Sequence, residues 1–179
     1  MIGTALRTIA ELPFTAATAY GDQPAHRARR GGEWVDTSFR ELAGTVRALA
    51  RGLVRAGIAP GDRVAVLAEN RPEWSHAGLA VLAAGAVLVP IYPSSSAEEC
   101  RWILSSSGAR LVVCANAAQR DKVAPTATVV IDDGGLAALA SDASAADTRS
   151  SAGSPASIPT TRASSSTPPV RPGRRRAAC

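Results

Sequence analysis

The sequence predicts an α/β domain, a mostly parallel sheet with helices on both faces. Three observations carry this. The runs Val64 to Ala68, Ala86 to Val89 and Leu111 to Cys114 are apolar at nearly every position, as strands buried on both faces of a parallel sheet are. The segments between them open on helix-start signals, Asn70-Arg71-Pro72 and Ser95-Ser96 with Glu98-Glu99 three residues on. Short strands alternating with helices at this spacing imply βα units joined by right-handed crossovers.

Taken in order, Ile2 to Leu12 has a helical pattern with Leu6, Ile9 and Ala10 on one side, and Pro13 is read as its stop. Ala25 to Arg29 and Glu33 to Val35 read as two short strands around the turn Arg30-Gly31-Gly32. Trp34 on that hairpin is read as a packing residue. Ser38 to Ala56 is the clearest helix. Ser38 and Glu41 have capping-box spacing, and Phe39, Leu42, Val46, Leu49 and Leu53 form one apolar stripe. Arg40, Arg47, Arg51 and Arg55 lie off the stripe, on a face read as solvated. Gly57 ends the helix.

After the turn Ala59-Pro60-Gly61-Asp62, Arg63 to Leu67 reads as a buried strand. Pro72 fits the first position of a helix running to about Ala84, with Trp74, Ala77, Leu79, Leu82 and Ala83 giving it apolar surface. Ala86 to Val89 is the next strand, ended by Pro90-Ile91-Tyr92-Pro93. A helix follows from Ala97 to about Ser106, then Gly108, the strand Leu111 to Cys114, a short helix from Ala118 to Val123 and a fourth strand, Thr128 to Ile131. Asp132 to Gly135 is a loop, and Leu136 to Ala140 a last helical turn.

Charge divides the chain. From Arg149 to Cys179 there are six arginines and no acid, so the overall +5 becomes about −1 for the residues before. The basic tail has no aromatic residues between its arginines, as single-strand nucleic-acid binders do, and no specific nucleic-acid partner is expected. Two domains are read: 1–145, folded, and 146–179, a Ser/Pro/Arg-rich stretch that is disordered on composition.

The three cysteines, Cys100, Cys114 and Cys179, form no Cys-x-x-Cys pair, and two histidines are too few to complete a zinc site with them. Buried thiols in a reducing cytoplasm are expected. His76, beside an apolar face with no partnered nucleophile, is read as structural. The start of the chain lacks the basic and apolar regions of a signal peptide, and Ala77 to Val89 is too short to span a bilayer. The expected localisation is therefore cytoplasmic, without a transmembrane segment.

No Gly-x-Gly-x-x-Gly follows a strand and no Gly-x-x-x-x-Gly-Lys-Ser/Thr is present, which removes the main support for dinucleotide and Walker-type readings. The residues carry a different resemblance. Gly61-Asp62-Arg63-Val64, Asn70-Arg71-Pro72-Glu73-Trp74, Ala84-Gly85-Ala86 and the run Val89 to Glu99 resemble the N-terminal region of AMP-forming acyl-CoA synthetases. Gly32-Glu33-Trp34, Ser38 to Gly57, Ile103-Leu104 and Ser107-Gly108-Ala109 fit the flanking parts. Glu73-Trp74 with Pro90-Ile91-Tyr92 looks most like the long-chain fatty acid branch.

The resemblance covers roughly residues 10–140. It implies the N-terminal part of an adenylate-forming ligase large domain, incomplete, and a two-step reaction. ATP and a fatty acid or other carboxylate give an acyl-adenylate and pyrophosphate, and the thiol of CoA then displaces AMP. Mg²⁺ and a Gly/Ser/Thr-rich loop with a lysine stabilise the leaving pyrophosphate in the family. That loop, Tyr-Thr-Ser-Gly-Thr-Thr-Gly-x-Pro-Lys-Gly, is not found here, so no catalytic, cofactor-binding or metal residue is assigned. ATP, Mg²⁺ and CoA belong to the intact family, and this chain alone is expected to bind none and to be inactive. Peripheral membrane association stays open for the intact family.

The tail has a reading of its own. Read one base late, the codons of Thr167 to Ala177 are compatible, position by position, with the missing loop. Ser164 and Ser165 then hide codons allowing Val, Ile or Leu, and Ile158 to Thr161 allow Asp-Pro-Asp-Asp. A one-base indel near residues 145–150 is the expectation that follows. Two other functions stay open: a ligase for another carboxylate, such as an aromatic acid, and a non-enzymatic module using its basic tail.

Overall fold

In a computed structural model of the chain, residues 8–141 are described. A 3₁₀ turn, Ile9–Glu11, leads into α1 (Leu12–Tyr20). Pro13 therefore begins a helix instead of stopping one. Proline is tolerated in the first helical turn because its missing N–H has no intrahelical partner there, and Pro13 is buried in that turn. The part of the expected N-terminal helix before Thr8 lies outside the described residues.

The hairpin pairs β1 (Pro24–Arg30) antiparallel with β2 (Glu33–Ser38). Trp34 stands opposite Arg29 and is 67% exposed. The packing role expected of it is thus corrected: Glu33 to Asp36 are all exposed, so the ribbon is uncovered on both faces at this end. The expected capping box is present at α2 (Phe39–Arg55), where Ser38 Oγ accepts from the Glu41 N–H and Glu41 accepts from the Ser38 N–H. Its stripe buries Val46, Leu49 and Leu53, and all four off-stripe arginines are exposed. Arg47 stacks its guanidinium over Phe14 at 4.9 Å, and Arg40 pairs with Asp22.

The main sheet holds β3 (Arg63–Leu67), β4 (Val87–Ile91), β5 (Leu111–Cys114) and β6 (Thr128–Val130), all parallel, in the order β4-β3-β5-β6. Alternate residues of each strand point to opposite faces, and two cores result. Val64, Val66, Leu111 and Val113 pack beneath α2, α3 (Pro72–Ala83) and α6 (Gly135–Ser141). Ala65, Leu67, Val112 and Cys114 pack against Cys100 and Leu104 of α4 (Ala97–Ser107) and Val123 of α5 (Ala117–Val123). The expected fold class, with helices on both faces, is what the chain adopts.

Strand β4 runs on through Pro90 to Ile91, past its expected end at Val89. Proline cannot donate to a ladder and so is confined to edges; among the described residues β4 is an edge strand, bonded only to β3. Of the two capping boxes open at α4, the chain forms Ser96 with Glu99. Gly108 ends that helix at φ +63°, and Arg63 donates from Nε to Ser107 O (2.7 Å) and from Nη2 to Gly108 O (3.0 Å). An arginine at the start of β3 thus satisfies carbonyls left open at the end of α4. The boundary read at 145/146, the Arg-rich stretch and Cys179 lie outside the described residues.

Candidate functional site

In open parallel sheets, ligands bind at the carboxyl ends of the strands, where the connections diverge to opposite faces. Here that point lies between β3, followed by α3 on one face, and β5, followed by α5 on the other. It is filled by protein. Gln119 of α5, only 5% exposed, accepts from the Ala115 N–H through Oε1 (2.9 Å) and donates through Nε2 to Glu69 Oε1 (2.8 Å). Asn116 caps α5 by accepting from the Gln119 N–H (3.0 Å). One glutamine therefore ties the loop after β3 to the loop after β5.

The open space is one strand over. A groove of about 760 Å³ lies at the carboxyl ends of β3 and β4. Trp74, Pro90, Ile91, Tyr92 and Pro93 give it an apolar lining, and Glu69, Asn70 and Ser94 supply the polar groups. None of its lining residues is basic. Tyr92 is 80% exposed at its mouth. The loop forming this wall is held from below: Lys122 of α5 donates from Nζ to Pro93 O (3.0 Å) and Ser95 O (2.9 Å). Lys122 is the only lysine in the chain.

Beside the groove, ion pairs fix the start of α3. Arg71 donates to Glu73 Oε2 (2.9 Å) and to Asp132 Oδ1 (2.8 Å), while Arg30 of the hairpin reaches Glu73 Oε1 (2.7 Å). Glu73 is partly buried, which raises its pKa, but its bonds to the backbone and to Arg71 outweigh this and hold the carboxyl below its usual value.

The motif residues thus separate by role. Asp62 accepts from the Ala59 N–H and from Arg110 within a turn, and those bonds keep it ionised below the ordinary aspartate range. Arg63 caps α4, and Gly85 (φ +77°) accepts from Gly61 across the turn. These residues build the scaffold. Asn70, Trp74 and the run Pro90 to Ser94 face the groove. Sequence reasoning assigned no site residue and so missed these; the signal was a Trp one turn into a helix together with a Pro-Ile-Tyr-Pro run leaving the adjacent strand.

His76 sits at the buried face of α3, 9% exposed; its Nε2 has no hydrogen-bond partner among the described residues, and the His26 ring is 5.2 Å away. Burial, and then His26, lower its pKa. Cys100 and Cys114 are buried free thiols, as expected, and burial pushes both above the ordinary thiol value. Neither is therefore a thiolate nucleophile at neutral pH. Among the described residues, no group of three or more His, Cys, Asp or Glu side chains could hold a metal ion. No helix among them is long and apolar enough to cross a membrane.

Comparison with known proteins sets this arrangement in a family. The sequence profile of the AMP-binding enzymes matches residues 14–173. A long-chain-fatty-acid–CoA ligase of Mycobacterium bovis, FadD15, is 47% identical over 78 residues, which is 44% of this chain and 13% of that protein. The long-chain-fatty-acid–CoA ligase ACSBG1 of Bos taurus is 30% identical over 117 residues, 65% of this chain and 16% of the other. The chain thus spans about a sixth or less of the length of these relatives. Among solved structures, NpsA of Klebsiella oxytoca, in complex with 3-hydroxyanthranilyl-AMSN, superposes with a TM-score of 0.63 at 24% identity, over 78% of this chain and 26% of that one. The fatty acid AMP ligase of Legionella pneumophila gives a TM-score of 0.63 at 20% identity, over 76% and 25%. With the profile matched over most of its length, on a parallel sheet that such structures share, the chain belongs to the AMP-binding enzyme family.

Proposed function

We propose that the chain is the amino-terminal portion of the sheet of an AMP-forming long-chain fatty acid–CoA ligase. The observation that carries this is the identity of 47% over 78 residues with FadD15. The reaction would join a fatty acid to ATP, releasing pyrophosphate and leaving an acyl-adenylate. The CoA sulfur then attacks the acyl carbon and AMP departs.

The described residues do not fit ATP with Mg²⁺. The groove offers the carboxylate of Glu69 and no cation, no metal cluster is present among these residues, and the switch point is closed by Gln119. No step through the nucleotide is derived from them. Their chemistry suits an apolar or uncharged group against Trp74, Ile91 and Tyr92, and their larger role is to hold the sheet and the loop after β4 in place.

The stretch after Arg149 is proposed to be a shifted reading frame, on the strength of codons compatible with the Gly/Ser/Thr-rich loop over Thr167 to Ala177. The family profile continues to residue 173 in the frame as written. This favours a second reading, in which the stretch is a diverged but in-frame part of the family region.

ATP–pyrophosphate exchange in the presence of a long-chain fatty acid tests the proposal. The 179-residue chain is expected to give none, and a chain rebuilt in the alternative frame through the lysine-bearing loop and beyond is expected to give exchange with fatty acids. Exchange by the chain as it stands would overturn the requirement for that loop. Exchange by the rebuilt chain with aromatic acids alone would replace the fatty acid reading by the other-carboxylate one. A gene whose other frame encodes no such loop would remove the frameshift.

A further inference from the structure

The hairpin β1–β2 is covalently continuous with α2, but it meets α3 through side chains. Among the described residues, two such contacts are present. His26 of β1 lies against His76 of α3 with ring centroids 5.2 Å apart, and Arg30 of β1 pairs with Glu73 of α3 at 2.7 Å. The second contact reaches the groove's rim, because Glu73 also holds Arg71, which holds Asp132 after β6.

We infer that this docking is a proton-controlled latch: the hairpin sits on α3 while the His76 imidazole is neutral and lifts when it is protonated. The geometry is unfavourable to an imidazolium. His76 is 9% exposed and, among the described residues, its Nε2 has no acceptor to take a second N–H. A proton there would create a buried donor without a partner, beside the His26 ring. Arg30 on the facing strand adds repulsion, and Glu73, one turn away on α3, is the one opposing attraction. Of the other elements packed on α3, the 3₁₀ turn carries Glu11, and the arginines of α2 are exposed. Glu73 is already shared by two arginines, which limits what it can give an imidazolium.

The sign follows from the lowered His76 pKa. The undocked state binds the proton more readily than the docked state, so docking is complete above the ordinary histidine value of 6.5 and is lost as pH falls below it. At pH 5.5, one unit below that value, the lowered His76 pKa raises the opening equilibrium of the hairpin by at most about tenfold. The latch is independent of the ligase reading; it would hold in any protein with these contacts.

The test is amide hydrogen exchange on the full chain at pH 7.5 and 5.5, corrected for intrinsic rates. The expected result is a loss of protection over residues 24–38 at the lower pH, at most about tenfold, with β3 and β5 unchanged. His76→Gln, which keeps a polar side chain but cannot be protonated, is expected to abolish the pH dependence. Equal protection of the hairpin at both pH values would overturn the latch, and so would a His76→Gln chain that keeps the wild-type dependence. Should that variant fail to fold, NMR titration of the wild-type ring decides: a His76 pKa below 6.5 supports the latch and one at or above it refutes it.

Discussion

Two glycines in α2 set up a decisive comparison. Gly44 is exposed, and a Cβ added there meets nothing within 4 Å. Gly52 is buried under α6, and an added Cβ would stand 2.2 Å from the carbonyl oxygen of Leu139 and 2.8 Å from its Cγ. Alanine in a helix interior is favoured over glycine by about 1 kcal/mol, so both substitutions start with the same gain. At Gly44 nothing opposes it, and Gly44→Ala should stabilise the chain by up to about 1 kcal/mol. At Gly52 the obstacle is backbone, which no rotamer change can clear. Helix α6 must retreat by roughly 1 Å to restore ordinary contact. That breaks the bond from Arg55 Nη2 to Leu139 O (3.1 Å) and lifts Leu136 and Leu139, both half-buried, from the core. Half of the burial of two leucines is worth about 1.5–3 kcal/mol. The net for Gly52→Ala is then a loss of about 0.5–2 kcal/mol, opposite in sign to Gly44→Ala. Urea denaturation followed by circular dichroism reads both values, and hydrogen exchange over residues 135–141 locates the damage. If Gly52→Ala is as stable as Gly44→Ala, α6 does not pack where this reasoning needs it.

Other outcomes follow from the same contacts. Gln119→Ala removes the bridge between Ala115 and Glu69 and should cost about 1–3 kcal/mol in urea denaturation, since it leaves a buried N–H with one partner fewer. Lys122→Met removes the two bonds that hold the loop after β4, and is expected to raise hydrogen exchange at residues 92–96 by more than at β5. Cys100 and Cys114 should resist thiol reagents at pH 8 in the folded chain and react once it is unfolded, as peptide mapping of labelled sites would show. The carboxyls of Asp22, Asp36, Glu41, Asp62, Glu73 and Glu99 all titrate below their ordinary values of 3.8 for Asp and 4.5 for Glu. The unfolded chain takes up those protons first, so their contribution is present above about pH 5 and is lost as acid carries the pH down through the folded values; a thermal-melting series from pH 7 to 3 checks it.

Much of this fold is written locally. Ser38 with Glu41, the stripe Phe39 to Leu53, and the four-residue apolar runs each depend on neighbours within a turn or a strand, and those elements lie where the sequence places them. The misreadings share a different cause. In the sequence Pro13 reads as a stop and Pro90 as an end, yet a proline's effect depends on whether its missing N–H had a partner to lose. In α1 the answer is local, and the run from Phe14 to Tyr20 lacks a stripe that would have shown it: its small residues face both ways. For Pro90 the answer lies in strand order, because only an edge strand tolerates it. Trp34 repeats the point, since whether its face of the hairpin is covered is decided by tertiary packing.

The candidate site was the least legible part because it is made by strand order, and strand order leaves no periodic trace. Glu69 and Gln119 are 50 residues apart and meet only because β5 lies beside β3. That meeting decides where space remains. With the switch point bridged by one glutamine, the carboxyl end of the sheet is open instead over β3 and β4, against an edge strand. An edge strand has unpaired backbone groups on its outer side and so a free boundary. The groove therefore has one wall set by α3 and its ion pairs, and one wall, the loop Tyr92 to Ser95, held by its own turn bond from the Ser95 N–H to Tyr92 O and tethered to α5 by Lys122. A site with one fixed and one tethered wall responds first to the tether. Substitutions at Lys122 should reshape the groove before they destabilise the sheet, whereas substitutions at Gln119 should do the reverse.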